Sequence, residues 1–369
     1  MNASDLDTQL LDLAVRSAVR GHGHVEPNPM VGCVISDQSG KIISAAHHER
    51  FGGSHAEVLA LKIAGAASRG ATVHVTLEPC NHQGKTPPCV DALIQSGVSR
   101  VVVGAADPNP MACGGADRLR DAGIQVDILN HRGSMDLIEP FRMNLLQKRP
   151  WITMKWAQTL DGKIASRTGD SKWISSEISR RLVHRERGRV DAILTGIGTV
   201  LQDDPRLTAR DVRQRRRASR IVMDRSLRTP LDSALLSTID LAPLLIVADQ
   251  TLLGTPEEKA LSSRGAVVLG FPVVHDEFDL PAVMQFLHES HDISTMMVEA
   301  GTGLMSSLVL SKCIDELAVF MAPRLLGDTE GYPPLLNDAA RSIADAQQLQ
   351  LEQIHRRDID VLMRYRMNT

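Results

Sequence analysis

Apolar positions in the first third of the chain follow two alternating periods. Leu6, Leu10, Leu13, Ala14 and Ser17 recur at helical spacing, with Ser4 or Asp5 placed to cap the helix. Val31–Ile35 fits a buried strand that ends in the turn residues Asp37, Ser39 and Gly40, and Ile42–Ala46 answers it as a hairpin partner. The pattern then predicts a helix from about His55 to Ala67 and a strand over Thr72–Leu77. A helix over Pro88–Gln95 and a strand over Arg100–Gly104 follow. Strands alternating with helices predict an α/β layered domain.

Gly133, Pro140, Lys148, Arg149 and Pro150 interrupt the pattern, so residues 131–150 read as a connector. A second series predicts strands at Ile152–Ala157, Ala192–Thr195, Arg220–Asp224, Leu244–Ala248, Ala266–Leu269, Thr295–Glu299 and Glu316–Met321. Two domains are expected, 1–146 and 147–369, each long enough to bury its own core.

Composition narrows the classes. With 43% hydrophobic and 23% charged residues, a wholly disordered chain is excluded. A net charge of −3 gives no general attraction to nucleic acid or to an acidic membrane surface. No apolar run approaches the roughly 20 residues that span a bilayer. The start of the chain lacks the basic-then-apolar order of a signal peptide, and 5 cysteines make too sparse a set for a disulfide framework. A cytoplasmic, two-domain enzyme is expected, with neither nucleic acid nor membrane as partner. The seven arginines of residues 206–220 read as a solvated loop. Cys33, Cys113 and Cys313 lack chemical context and read as small core residues.

The sharpest chemical signal is His55-Ala56-Glu57, followed by Glu78-Pro79-Cys80 and Pro87-Pro88-Cys89. One imidazole and two thiolates make a three-ligand zinc set that leaves the fourth tetrahedral position for water. Zinc lowers the pKa of such a water to about 7. Glu57, two residues from His55, can shuttle a proton without coordinating the metal. His-x-Glu followed by Pro-Cys and a second Cys is the general signature of zinc nucleobase deaminases. Here eight residues separate Cys80 from Cys89, where the short form has two. His82, within that loop, is an alternative ligand or a substrate contact. In the second half, Gly301-Thr302-Gly303 lies between a predicted strand and a helical pattern over Leu304–Leu310. That turn suits either a phosphate at a helix N-terminus or a tight turn that needs only glycine's freedom.

These residues, together with Pro27-Asn28-Pro29-Met30-Val31-Gly32-Cys33, the run from Thr76 to Cys89 and Asp107-Pro108-Asn109-Pro110, resemble the bifunctional riboflavin-biosynthesis deaminase/reductase family. Lys155, Leu160-Asp161-Gly162, Trp173-Ile174, Asp203-Asp204-Pro205 and Val298-Glu299-Ala300-Gly301 extend the resemblance over nearly the whole chain. Ala112-Cys113-Gly114-Gly115 departs from it, since members often carry a basic residue between the glycines.

The resemblance implies a cytidine-deaminase-like three-layer domain followed by a dihydrofolate-reductase-like domain. It implies zinc-hydroxide deamination of 2,5-diamino-6-ribosylamino-4(3H)-pyrimidinone 5′-phosphate, with Glu57 catalytic and His55, Cys80 and Cys89 as ligands. Reduction of the ribosyl group to a ribityl chain by NADPH would follow. Cofactor contacts would be Ala157, Thr199, Asp203, Arg225, Gly301, Thr302, Gly303, Leu304, Met305, Ser306 and Ser307. Substrate contacts would be Ser171, Trp173, Arg187, Leu207, Arg210 and Glu299, the two arginines on a ribose phosphate. Lys155 and Asp161 are expected to line the cleft without a catalytic role. Two other readings compete. A polynucleotide base deaminase is opposed by the charge and the long Cys-to-Cys loop. A protein with a structural zinc is opposed by Glu57 beside an incomplete ligand set.

Overall fold

The computed structural model describes residues 3–85, 87–336 and 342–367. It divides into two compact units, Met1–Gln147 and Lys148–Thr369, so the join lies between residues 147 and 148.

In unit 1 the order is α1 (Ala3–Ala18), β1 (Gly32–Ser36), β2 (Ile42–His47), α2 (Ala56–Ala64), β3 (Thr72–Val75) and α3 (Cys89–Ser96). β4 (Arg100–Val103), α4 (Gly115–Asp121), β5 (Gln125–Ile128) and α5 (Arg132–Gln147) complete it. The sheet order is β2-β1-β3-β4-β5. β1 runs antiparallel to both β2 and β3, while β3, β4 and β5 are parallel. Cys33, Ile35, Val73, Val75, Val101 and Val103 form a core with Ala56 and Ala60 of α2 and Val90 and Leu93 of α3. α1 lies against β1 so closely that a side chain at Gly32 would come within 1.9 Å of Ala14 O.

Three expectations for this unit change. α1 begins at Ala3, so Asp5 lies in its first turn and neither Asp5 nor Ser4 is the cap. The expected connector is mostly α5. Gly133 falls in its first turn, where backbone N–H groups have no helical partner, and Pro140 removes one internal hydrogen bond. Burial of Leu137, Ile138 and Met143 outweighs that loss. Cys113 is exposed, because it sits in the turn before α4 and donates to Pro110 O at 3.3 Å.

Unit 2 begins with β6 (Trp151–Gln158), α6 (Glu177–Arg187), β7 (Ala192–Gly196), α7 (Ile197–Asp203), β8 (Ser219–Met223) and α8 (Ala234–Ser237). β9 (Leu244–Asp249), α9 (Pro256–Ser263), β10 (Val267–Phe271), β11 (Val273–Val274), β12 (Glu277–Phe278) and α10 (Leu280–His291) follow. It ends with β13 (Thr295–Val298), α11 (Thr302–Leu310), β14 (Glu316–Met321), β15 (Leu349–Arg357) and β16 (Asp360–Met367). Nine strands make one sheet, in the order β10-β9-β8-β7-β13-β6-β14-β16-β15. From β10 to β14 all neighbours are parallel, and β16 and β15 add an antiparallel edge. Two apolar clusters result, as a parallel sheet covered by helices requires.

The arginine-rich segment is only partly a solvated loop. Arg206, Arg210, Arg213 and Arg217 are exposed. Arg216, however, pairs with Asp191, and Arg220 is fully buried on β8. Arg220 donates to Thr238 Oγ1 at 2.8 Å, Thr238 O at 3.1 Å and Ala242 O at 2.6 Å. Those acceptors replace much of the water its two terminal nitrogens give up, while its Nε is left without a partner.

Candidate active sites

The first site is assembled at helix starts and strand ends. His55 precedes α2, so its extended backbone aims the imidazole off the helix end while Glu57 enters the first turn. Cys89 is the first residue of α3. One imidazole and one thiol are therefore set at helix N-termini, and Cys80 is carried by the strand-end turn that follows β3. α4 starts hard against Pro79: a side chain at Gly115 would lie 1.9 Å from Pro79 O, so only glycine fits beside Cys80. Glu78 secures the same corner by accepting the Ala116 and Asp107 N–H groups at 3.0 and 3.3 Å. The two cysteines are also joined directly. Cys89 N–H donates to Cys80 Sγ at 3.4 Å, and Val90 N–H to Cys80 O at 3.5 Å.

His55 Nδ1 lies 3.1 Å from Cys89 Sγ and 3.5 Å from Cys80 Sγ. All three ligand atoms fall within 4.8 Å of one another, and no other group of His, Cys, Asp or Glu among the described residues is so arranged. One nitrogen and two sulfur donors suit zinc, and three protein ligands leave a position open. The Cys80 thiol is held well below its ordinary pKa, first by the hydrogen bond from Cys89 and also by that to His55. Burial pushes the Glu57 carboxyl up. Its Oε2 is buried and has no hydrogen-bond partner. A buried ionisable oxygen without a partner is a candidate for proton exchange with a bound group.

His82 is exposed and outside the ligand cluster. Lys85 stands 3.9 Å over the Phe51 ring, while Thr86 lies outside the described residues. The structure adds two residues to which sequence reasoning gave no role. His48 is buried, packs edge-on against His55 with centroids 5.3 Å apart, and meets Asn28 at 3.4 Å. Asn28 lay in the Pro-Asn-Pro motif, but nothing in the sequence marked His48.

In unit 2 the residues expected to bind ligands form two groups at the carboxyl ends of the parallel strands. Glu299, just beyond β13, receives Arg187 of α6 in a two-point contact of 2.6 and 3.0 Å. Lys155 of β6 approaches the same carboxylate at 3.6 Å. Burial raises the Glu299 pKa, but Arg187 and Lys155 outweigh it and bring the group down to about 2. Arg187 also reaches Thr208 O at 3.3 Å, so its guanidinium is committed to protein acceptors. Arg210 is exposed and touches Thr208 Oγ1 at 3.3 Å, which leaves it the freer cation for a phosphate. Leu207 is buried in the core, at φ +50°.

The second group is the glycine turn. A side chain at Gly301 would meet Thr199 Oγ1 at 3.7 Å, and one at Gly303 would meet nothing within 4 Å. Glycines with free space at a helix N-terminus fit the phosphate of a dinucleotide. Leu304 packs under Gly196, and Met305 is buried in the core. Thr302 and Ser306 have their hydroxyls engaged, with Pro333 O at 2.6 Å and Leu336 N–H at 2.8 Å. Ala157, at the end of β6, and Ser307, in α11, are half-buried. Asp203 pairs with Lys172 at 3.2 Å, between half-buried Ser171 and exposed Trp173. Arg225, just beyond β8, pairs with Asp276 at 3.0 Å.

Comparison with known proteins accounts for both halves. Residues 4–105 match the family model "Cytidine and deoxycytidylate deaminase zinc-binding region". Residues 150–363 match "RibD C-terminal domain". The riboflavin biosynthesis protein RibD of Aquifex aeolicus is 42% identical over 328 residues, 88% of this chain and 89% of that protein. RibD of Escherichia coli K12 is 37% identical over 367 residues, covering 97% of this chain and 98% of its own. Among solved structures, Acinetobacter baumannii RibD superposes with a TM-score of 0.83 at 32% identity, over 99% of both chains. The Thermotoga maritima diaminohydroxyphosphoribosylaminopyrimidine deaminase/5-amino-6-(5-phosphoribosylamino)uracil reductase gives 0.82 at 31%, over 98% of this chain and 99% of its own. A zinc-type thiol and imidazole cluster in one unit, a parallel sheet with a glycine turn in the other, and relatives aligned across both have one reading: the chain belongs to the bifunctional riboflavin-biosynthesis deaminase/reductase family, RibD.

Proposed function

We propose that His55, Cys80 and Cys89 hold the zinc of the deaminase half, that Glu57 is its proton carrier, and that the pyrimidine ribosyl phosphate is the substrate of both halves. The observation that carries this reading is the His55–Cys80–Cys89 triangle with the partnerless Glu57 oxygen beside it. The chain is a hydrolase and an oxidoreductase, and its cofactors are zinc and NADPH. Zinc, when bound, supplies a Lewis acid that makes a water nucleophilic near neutral pH. Glu57 would accept a proton on its free Oε2 and pass it to the amino nitrogen that leaves the ring as ammonia. The dry setting favours the neutral carboxyl after the first transfer, so the proton is kept until the leaving group needs it.

In the reductase half, NADPH supplies the hydride when bound. Gly301 and Gly303 offer backbone N–H groups to its phosphate. Glu299, held ionised by Arg187 and Lys155, orients substrate hydroxyls, and Arg210 takes the phosphate. A homo-oligomer in the cytoplasm, with no nucleic-acid partner, completes the proposal; light scattering tests the first, and the net charge of −3 supports the last. Mass spectrometry of the diaminopyrimidine phosphate incubated with the protein tests the chemistry. Without NADPH the mass should change as amino is replaced by oxo, and with NADPH it should gain two further hydrogens. No first change in zinc-loaded protein would refute the deaminase assignment.

A further inference from the structure

Asp161 lies in the Leu160-Asp161-Gly162 motif, to which neither half-reaction gives a task. β6 ends at Gln158, and a tight turn follows in which Gly162, at φ +77°, donates to Thr159 O at 3.0 Å. The turn presents the Asp161 carboxylate to the loop leaving β14, where it accepts Leu326 N–H at 3.1 Å and Gly327 N–H at 2.7 Å. More bonds continue along that loop. Arg167 grips Asp328 with its side chain, at 2.6 and 2.9 Å, and with its N–H at 2.8 Å. Lys163 Nζ reaches Gly331 O at 2.8 Å, and Ile164 N–H donates to Tyr332 O at 2.8 Å. The far end reaches α11 through Thr302 and Ser306, as described above. Residues 326–336 therefore form a strap from the turn after β6 to the first turns of α11. β13 and β14 both pair in parallel with β6, so the strap crosses the carboxyl rim of the sheet, where open α/β sheets take ligands.

We propose that Asp161 is a positioning residue for the nicotinamide cofactor: it anchors the strap, and the strap fixes the pose of the α11 N-terminus. The inference rests on the reading that the cofactor lies against residues 301–307. The chemistry explains the choice of residue. Leu326 N–H also reaches the second carboxylate oxygen, at 3.2 Å, so both N–H groups converge on one anion, whose charge-assisted bonds are stronger than a neutral carboxamide would make. Thr302 and Ser306 spend their hydroxyls on the strap, so the free backbone N–H groups of the turn are what the cofactor meets, and their direction depends on the strap.

The test uses the full chain with Asp161→Asn, and with Arg167→Ala as a milder, exposed break in the same strap. Deamination by the same preparations should be unchanged and controls for intact protein. Hydrogen exchange at 326–336 should rise in both variants. The NADPH Kd should rise roughly tenfold for Asp161→Asn and about two- to threefold for Arg167→Ala, with turnover at saturating NADPH within about twofold. Unchanged exchange in both would show that Asp161 is no anchor. Raised exchange with unchanged NADPH affinity would show that the strap positions nothing. NADPH protection of 301–307 in the parent protein tests the underlying reading separately: its absence would overturn the cofactor placement, and this inference with it.

Discussion

The two sites solve opposite electrostatic problems. The deaminase site gathers soft donors and one carboxyl that burial drives toward neutrality, and leaves an oxygen without a partner. The reductase site gathers a carboxylate and two cations, Arg187 and Lys155, that satisfy one another and keep Glu299 ionised. A buried ion must be paired, whereas a group that has to gain and lose a proton must not be paired too well. The first arrangement suits proton transfer, and the second suits holding and orienting a polar group.

The sharpest break in this comparison is at the ligands. Cys80→Ser or Cys89→Ser should cost most of the zinc and nearly all deamination, because a hydroxyl is a far poorer ligand than a thiolate. NADPH-dependent reduction of supplied intermediate should persist, as metal analysis beside the two assays would reveal. Next in size is Glu57→Gln, which keeps the shape and removes the carrier. Deamination should fall roughly 10²-fold or more with zinc retained. Near-normal deamination by a zinc-loaded Glu57→Gln protein would dissolve the contrast between the sites.

Glu299→Gln tests the paired site, with a smaller effect. It leaves two cations facing a neutral amide, so reduction should drop by about tenfold or more while NADPH affinity changes much less. The same variant should alter acid stability. The Glu299 pKa is depressed by folding, from 4.5 to about 2, so its contribution is present above pH 4.5 and is lost as pH falls from there toward 2. That contribution is about 3 kcal/mol. Unfolding curves between pH 5 and 2 should therefore converge for parent and Glu299→Gln, and parallel curves would count against the pairing. The smallest effect belongs to His82→Ala, which should retain its zinc. An empty site would restore His82 as a ligand.

How much of this was legible in the sequence differs in the same way. Metal ligation demands particular residue types in a short stretch, so His55, Cys80, Cys89 and Glu57 could be picked out from order and spacing. Glu299, Arg187 and Lys155 come from three separate elements, and no spacing announces that they meet. His48 reaches His55 through a turn, and its neighbours carry no periodic signal. Core strands such as β1 and β7 were visible as apolar runs. β15 was not, because its apolar residues Leu349, Leu351 and Ile354 reach one face only through a bulge between Leu351 and Gln353, which breaks the two-residue period in the sequence. α5 was hidden for the opposite reason: its breakers are local, and the burial that overrides them is tertiary.

The bonds that tie Cys80 to the start of α3 bear on how such a chain can diversify. Cys89 N–H on Cys80 Sγ and Val90 N–H on Cys80 O clasp the ligands at the base of the loop between them. Residues 81–88 can then lengthen, shorten or change in character while the ligands keep their places. Substrate preference and metal affinity become separately inheritable traits. A loop graft between Cys80 and Cys89 should accordingly leave zinc binding in place while changing what the site admits.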